Sequence, residues 1–323
     1  MKLSIVSTLY CSAPYIDEFW KRISASAQTV AGDDYEIILV NDGSPDKSLE
    51  IAKNIALHDD HLKVISLSRN FGHHNAFMAG LSYTSGNRVF LIDVDLEEPP
   101  EDLVRFWKEM DDHQDVFVIF GIQEKRQGGL LKKLSGAVFW RMFNLVSATQ
   151  VPNNILTVRL MKRQYVDELL KYQEKELFLA GIFADMGFRQ RSLSVAKTYK
   201  GATAYNLIKQ ISLFSNAVTS FSSAPLKGIF FLGLGIALIS AMLFCIVLIR
   251  KLFIIDYQAG WPSLILSIWM MGGLTMFSLG VVGIYLYKLF REIKARPLFI
   301  VEEVFTGDGK NTKKGVGSLT KEP

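Results

Sequence analysis

Through its first 120 residues the chain alternates two patterns of apolar and polar positions. Leu3 to Leu9, Tyr35 to Val40, Leu62 to Leu67, Arg88 to Asp93 and Asp115 to Phe120 are short apolar runs rich in β-formers, and they predict strands. Between them, Pro14 to Val30, a stretch capped by Ser44 or Asp46 and running to about Leu57, Asn75 to Ser85, and Glu101 to Met110 predict helices. Strands and helices taking turns at this spacing predict a mostly parallel sheet covered on both faces. Val89-Phe90-Leu91-Ile92 shows no polar alternation, as expected of a strand buried on both sides.

Past Gly121 the rhythm breaks. Gln123 to Lys133, QEKRQGGLLKK, is basic and contains Gly128-Gly129, the pattern of a mobile or simply solvated loop. Leu134 to Ser147 has amphipathic helical spacing, and Leu156 to Leu160 reads as an edge strand. In Tyr205 to Phe221, positions Leu207, Ile208, Ile211, Phe214, Val218 and Phe221 share one helical face. Its place before a long apolar run predicts an interfacial helix over 205–227; packing on the preceding domain is the competing reading. Gly228 to Ile249 holds 22 residues without a charge and Trp261 to Tyr287 holds 27, so each can cross an apolar layer of roughly 30 Å. The expected organisation is thus 1–120, 121–204, the interfacial helix, spans over 228–249 and 261–287, and a disordered polar tail over 307–323.

Composition agrees with a membrane-bound α/β protein: 49% of residues are hydrophobic, 21% are charged, and the net charge is +4. Lys209 and Lys227 precede the first span and Lys288, Arg291, Lys294 and Arg296 follow the second, against Arg250 and Lys251 between them. This bias predicts an integral membrane protein with both termini and the α/β part in the cytoplasm. MKLSIVSTL has too short an apolar run for a signal peptide. Cys11 and Cys245 form no metal or disulfide pattern. Two uncharged spans per chain argue against a channel. Gly233, Gly235, Gly272, Gly273, Gly280 and Gly283 would allow close helix packing and a homo-oligomer. No nucleic-acid partner is expected.

The chemistry concentrates where the fourth strand ends, in Asp93-Val94-Asp95. A bare D-x-D is most often a solvated acidic turn. Here it falls at the carboxyl edge of a parallel sheet, where α/β folds bind ligands, and Pro99-Pro100 then suits entry into a new helix. Two other predicted strand ends, Thr8-Leu9-Tyr10 and Asn41-Asp42-Gly43-Ser44, fall on the same edge. The Asp42 carboxylate can accept the ring N–H of a uracil or guanine, Tyr10 offers a stacking face, and Arg69 can pair with phosphate or base oxygens. Ordinary packing or surface contact is an equal reading for Tyr10 and for Arg69 taken singly.

Val40-Asn41-Asp42-Gly43-Ser44, Leu67-Ser68-Arg69-Asn70-Phe71-Gly72, Asp93-Val94-Asp95-Leu96-Glu97-Glu98-Pro99-Pro100 and the two spans occur in an order that resembles the polyprenyl-phosphate glycosyltransferases of family 2, with GT-A fold. The resemblance covers about residues 1 to 300. It implies transfer of a sugar, with inversion, from a UDP- or GDP-sugar to a polyprenyl phosphate such as undecaprenyl phosphate, at the cytoplasmic face of a bacterial plasma membrane. It also implies that Asp93 lies near the ribose and donor sugar, that Asp95 helps hold Mg²⁺ or Mn²⁺ on the diphosphate, and that Glu97 is a further metal ligand. Lys125, Arg126, Lys132, Lys133, Arg141 and Arg159 are the candidates for guiding the acceptor phosphate, with Arg126 and Arg159 matching the family's basic positions most directly.

The chain departs from that pattern at several points. Glu97 stands where the family usually has glutamine, and Leu156-Thr157-Val158-Arg159-Leu160 keeps an arginine but lacks the aspartate of G-D-F-R-L. Thr203 replaces serine in the G-x-S-x-Y element, and Cys11-Ser12 replaces a common asparagine. Two other readings therefore stay open: extension of a lipid-linked saccharide, whose hydroxyl acceptor needs a base, and a nucleotide-sugar-binding homologue without turnover. His73-His74 reads as a helix cap, with donor contact as the other option.

Overall fold

The computed structural model describes residues 1–123, 154–174, 179–197 and 261–307, with single residues at 229, 231, 235 and 242. The chain divides into two compact units. One holds 1–141, 149–206 and 296–323, and the other holds 142–148 and 207–295.

The first unit is built on one sheet. Its strands are β1 (Leu3–Leu9), β2 (Tyr35–Asn41), β3 (Leu62–Leu67), β4 (Arg88–Leu91), β5 (Val118–Gln123), β6 (Ile155–Lys162), β7 (Gln190–Val195) and β8 (Val301–Thr306), in the order β7-β5-β6-β4-β1-β2-β3-β8. The helices are α1 (Ile16–Ala31), α2 (Ser48–Ala56), α3 (His73–Ser82), α4 (Asp102–Asp112), α5 (Arg163–Leu169) and α6 (Leu179–Asp185). Strands β1 to β4 run parallel. Because β6 is antiparallel to both β4 and β5, and β7 is parallel to β5, the ends of β5 and β7 emerge on the same edge as those of β1 to β4. This is the mostly parallel α/β sheet of a GT-A fold.

Apolar residues fill both faces. Ile5, Phe19, Ile23, Phe90 and Phe106 are fully buried, and the Phe90 and Phe106 rings meet edge to face with centroids 5.7 Å apart. Helix α3 lies close on the sheet because Gly80 has no side chain: a Cβ there would stand 2.4 Å from Val6 Cγ1 and 2.9 Å from Val40 Cγ2. Both neighbours are stiff β-branched residues. Gly80→Ala should lower stability by about 1–3 kcal/mol through overpacking, read as a drop in urea midpoint with an unchanged slope.

Two parts of the sheet differ from the sequence expectation. The run containing Leu156 to Leu160 is not an edge strand: β6 pairs with β4 on one side and β5 on the other. The Arg159 side chain on it is 2% exposed and folds under α6. At the other end, β8 adds an antiparallel edge strand beside β3 from far along the chain, and Lys53 of α2 pairs with Glu303 of β8.

The second unit contains α7 (Trp261–Ile293), 33 residues long. Met271–Ile293 is apolar and long enough to cross a membrane, and Met276, Phe277, Leu286 and Ile293 are exposed along it. The expected interfacial helix over 205–227, the helix over 134–147 and the basic loop beyond Gln123 lie outside the described residues. So does the first span apart from four single positions, and so does the tail from 308 on.

Candidate active site

Among the described residues, the stretches after five strands meet the carboxyl edge of the sheet. Tyr10 follows β1, Asp42 to Ser44 follow β2, Ser68 to Gly72 follow β3, Asp93 to Glu98 follow β4, and Lys197 follows β7. At the β1 end Tyr10 is 54% exposed, which leaves its ring available as a stacking surface.

The β2 and β3 loops are fastened together. Asp42 is 2% exposed, and its Oδ1 accepts from the Phe71 N–H at 2.7 Å while Oδ2 accepts from the Gly72 N–H at 3.0 Å. The loops approach this closely because of Gly43, which has φ +59° and would place a Cβ 2.5 Å from the Asn70 backbone nitrogen. Arg69 stacks its guanidinium 4.1 Å from the centre of the Phe71 ring, with Nη1 donating to the Asn70 carbonyl at 3.1 Å. Asp42 thus faces the backbone of the loop that carries Arg69, a job its position in the sequence does not reveal. Asp46 accepts from the Ser48 N–H at 3.1 Å and from the Ser44 and Ser48 hydroxyls, securing the start of α2.

The acidic loop after β4 turns sharply. Leu96 takes φ +59°, a left-handed conformation uncommon for a branched side chain, and the Glu97 N–H donates to Asp95 Oδ1 at 2.9 Å. This turn carries Glu97 and Glu98 across the sheet edge, so that Glu97 Oε2 lies 2.8 Å from Lys197 Nζ beyond β7. Asp93 Oδ1 is buried with no hydrogen-bond donor among the described residues, and His73 Nε2 stands 3.3 Å from it. The other ring nitrogen of His73 is 3.1 Å from Thr8 Oγ1. His73 opens α3 without capping it, and its ring instead bridges the ends of β1 and β4.

Electrostatics mark the same place. Burial, joined by Asp93 and Glu97 against the pull of the Glu97 N–H and Lys197, raises the Asp95 pKa. Glu98 is 1% exposed with Oε2 unpaired among the described residues. Burial, then the field of Asp93, pushes its pKa to about 8, with Lys197 and Arg159 opposing. Protonated Glu98 is therefore favoured in the folded state. Its stabilising effect is complete below the unfolded carboxyl pKa and is lost as pH rises through about 8. Glu98→Gln should remove that loss, leaving a urea midpoint that falls less between pH 6 and pH 9 than in the parent protein.

Arg159 is not an open phosphate-binding residue in this structure. Its Nε donates to the Thr157 carbonyl at 3.0 Å, Nη2 to the Leu156 carbonyl at 3.2 Å, and the guanidinium carbon lies 3.3 Å from the centre of the Phe183 ring. Burial brings its pKa down to about 10 against the attraction of Tyr165 and Glu98. Arg126, Lys132 and Arg141 lie outside the described residues, as do Lys125 and Lys133.

Glu98 and Lys197 escape the sequence reading. Glu98 stands beside a residue singled out there, in Glu97-Glu98-Pro99-Pro100, and Lys197 lies four residues before Gly201, where the G-x-S-x-Y element begins. The oxygen donors Asp93, Asp95 and Glu97 suit a hard divalent cation. Among the described residues no three or more His, Cys, Asp or Glu side chains converge to hold one unaided. Such a set fits Mg²⁺ or Mn²⁺ bound through few carboxylates and completed by substrate phosphates.

A model of family 2 glycosyl transferases matches residues 4–170, more than half of the chain. The chain belongs to glycosyl transferase family 2. A Mycobacterium tuberculosis protein classed with the glycosyltransferases is 43% identical over 95% of this chain and 90% of its own length. The prophage-derived bactoprenol glucosyl transferase of Shigella flexneri is 30% identical over 95% of this chain and all of its own length. This family 2 glycosyltransferase therefore aligns with relatives through its α/β unit and through the apolar segments that follow.

Proposed function

We propose that this protein transfers a sugar, with inversion, from a UDP- or GDP-sugar to a polyprenyl phosphate such as undecaprenyl phosphate, supplying lipid-linked sugar for cell-surface glycans. The observation that carries the reading is the acidic loop Asp93 to Glu98 on the sheet edge shared with Tyr10 and Arg69. The full-length similarity to a bactoprenol glucosyl transferase favours a lipid phosphate over a saccharide as acceptor.

Tyr10 stacks on the donor base, while Asp42 keeps the 69–72 loop in place so that Arg69 meets base or phosphate oxygens. Asp93 orients the ribose and donor sugar. Asp95 and Glu97 would hold Mg²⁺ or Mn²⁺, which would supply positive charge against the negative charge growing on the departing nucleoside diphosphate. The acceptor phosphate is already anionic, so its oxygen attacks the anomeric carbon without a general base. The bond from that carbon to the diphosphate oxygen breaks, and the nucleoside diphosphate leaves with the electron pair. Arg126, Lys132 and Arg141 are the acceptor-phosphate cations of this reading, and Arg159 joins them only if its buried side chain turns outward.

Spans over 228–249 and 261–287 would anchor the enzyme in the plasma membrane with both termini cytoplasmic, as the flanking basic residues favour. NMR of the glycosyl phosphate product tests the mechanism: an anomeric configuration opposite to the donor's is expected, and retention would rule out single in-line displacement.

A further inference from the structure

The acidic loop packs four carboxylates, Asp93, Asp95, Glu97 and Glu98, into six residues, and Lys197 forms an ion pair with it. Lys197 and Glu97 are both largely buried, with 29% and 26% of their side chains exposed, and Nζ and Oε2 are 2.8 Å apart. The Lys197 ammonium thus holds one of the two Glu97 carboxylate oxygens, Oε2, at the place where a divalent cation on Glu97 would sit.

We propose that Lys197 is a positioning residue that holds Glu97 in place of the divalent cation until a nucleoside diphosphate arrives with one. The inference rests on the metal role given to Asp95 and Glu97 above. Without nucleotide, a cation at Glu97 must displace the partly buried ammonium or share the carboxylate with it. With nucleotide, diphosphate oxygens complete the coordination sphere and give the displaced ammonium a new anionic partner. Lys197 therefore makes cation and nucleotide binding cooperative, and by reciprocity each tightens the other equally. It also suppresses idle cation binding to an acidic edge.

The test is Mn²⁺ affinity of the full-length protein in detergent, measured by electron paramagnetic resonance with and without UDP or GDP. Wild type should bind Mn²⁺ weakly alone and much more tightly with nucleotide. Lys197→Met should tighten nucleotide-free Mn²⁺ binding by about tenfold, the worth of one charged hydrogen bond, and shrink the nucleotide effect correspondingly. Lys197→Arg should behave like wild type, and in a Glu97→Gln background the effect of Lys197→Met should largely vanish. Equal nucleotide-free affinity in wild type and Lys197→Met, with both folded by circular dichroism, overturns the proposal. No Mn²⁺ binding by wild type even with nucleotide overturns the metal reading and this inference with it.

Discussion

Replacing Asp95 with alanine is expected to lower the rate of sugar transfer by about a thousandfold, the upper range for loss of one preorganised electrostatic contact in a transition state. The half-buried Asp95 carboxyl lies beside Asp93 and Glu97, and burial with those neighbours raises its pKa. A carboxylate held in that field gains from a cation more than a solvated one does. The charge it helps neutralise grows as the nucleoside diphosphate departs, so kcat falls, and because cation and nucleotide tighten each other's binding the donor is held more weakly as well. Single-turnover rates at saturating donor measure the chemical step. A loss confined to KM would assign Asp95 to ground-state binding alone.

Asp42→Ala is the second large effect. The substitution removes a carboxylate on a residue 2% exposed and so strips the acceptor from two backbone N–H groups, at Phe71 and Gly72. Hydrogen bonds to a charged group are each worth about 1.5–3 kcal/mol, so a loss of roughly 3 kcal/mol in stability is expected. Arg69 rides on the same loop, stacked over Phe71, and nucleotide affinity should fall with it. Asp42→Asn offers one acceptor but turns an N–H₂ group toward the other backbone donor, so it should recover only part of either loss. Chemical unfolding and titration calorimetry with UDP or GDP read the two effects separately. Unchanged stability with weakened nucleotide binding would mean that Asp42 acts on the base directly.

The alternation of apolar runs located every strand from β1 to β5 and every helix from α1 to α4, with ends within a few residues, because each element buries its own face locally. The clustering of strand ends on one edge followed from parallel topology alone. Contacts made across long chain separations left no such trace. Strand β8 lies beside β3 through pairing that joins Leu62–Leu67 to Val301–Thr306, and a six-residue stretch with two adjacent glutamates gives little sign of it.

Side-chain direction was hidden for the same reason. Arg159 reads as a candidate for guiding the acceptor phosphate until the carbonyls of Leu156 and Thr157 and the ring of Phe183 are seen to receive it. His73 reads as a helix cap until Thr8 and Asp93 are found on either side of its ring. Glu97 and Lys197, 100 residues apart, meet only because the Leu96 turn carries the acidic loop across the sheet edge. The sequence departure at Glu97 thus has a structural companion: the added negative charge is met by a lysine.

The most direct test of the central claim is transfer of radiolabel from a panel of nucleotide sugars to undecaprenyl phosphate in detergent with Mn²⁺ or Mg²⁺, run on wild type and Asp95→Ala. The account predicts a lipid-soluble labelled product from one donor, lost with the substitution and with a chelator. Lack of lipid product from every donor, while nucleotide binding stays intact, would contradict it.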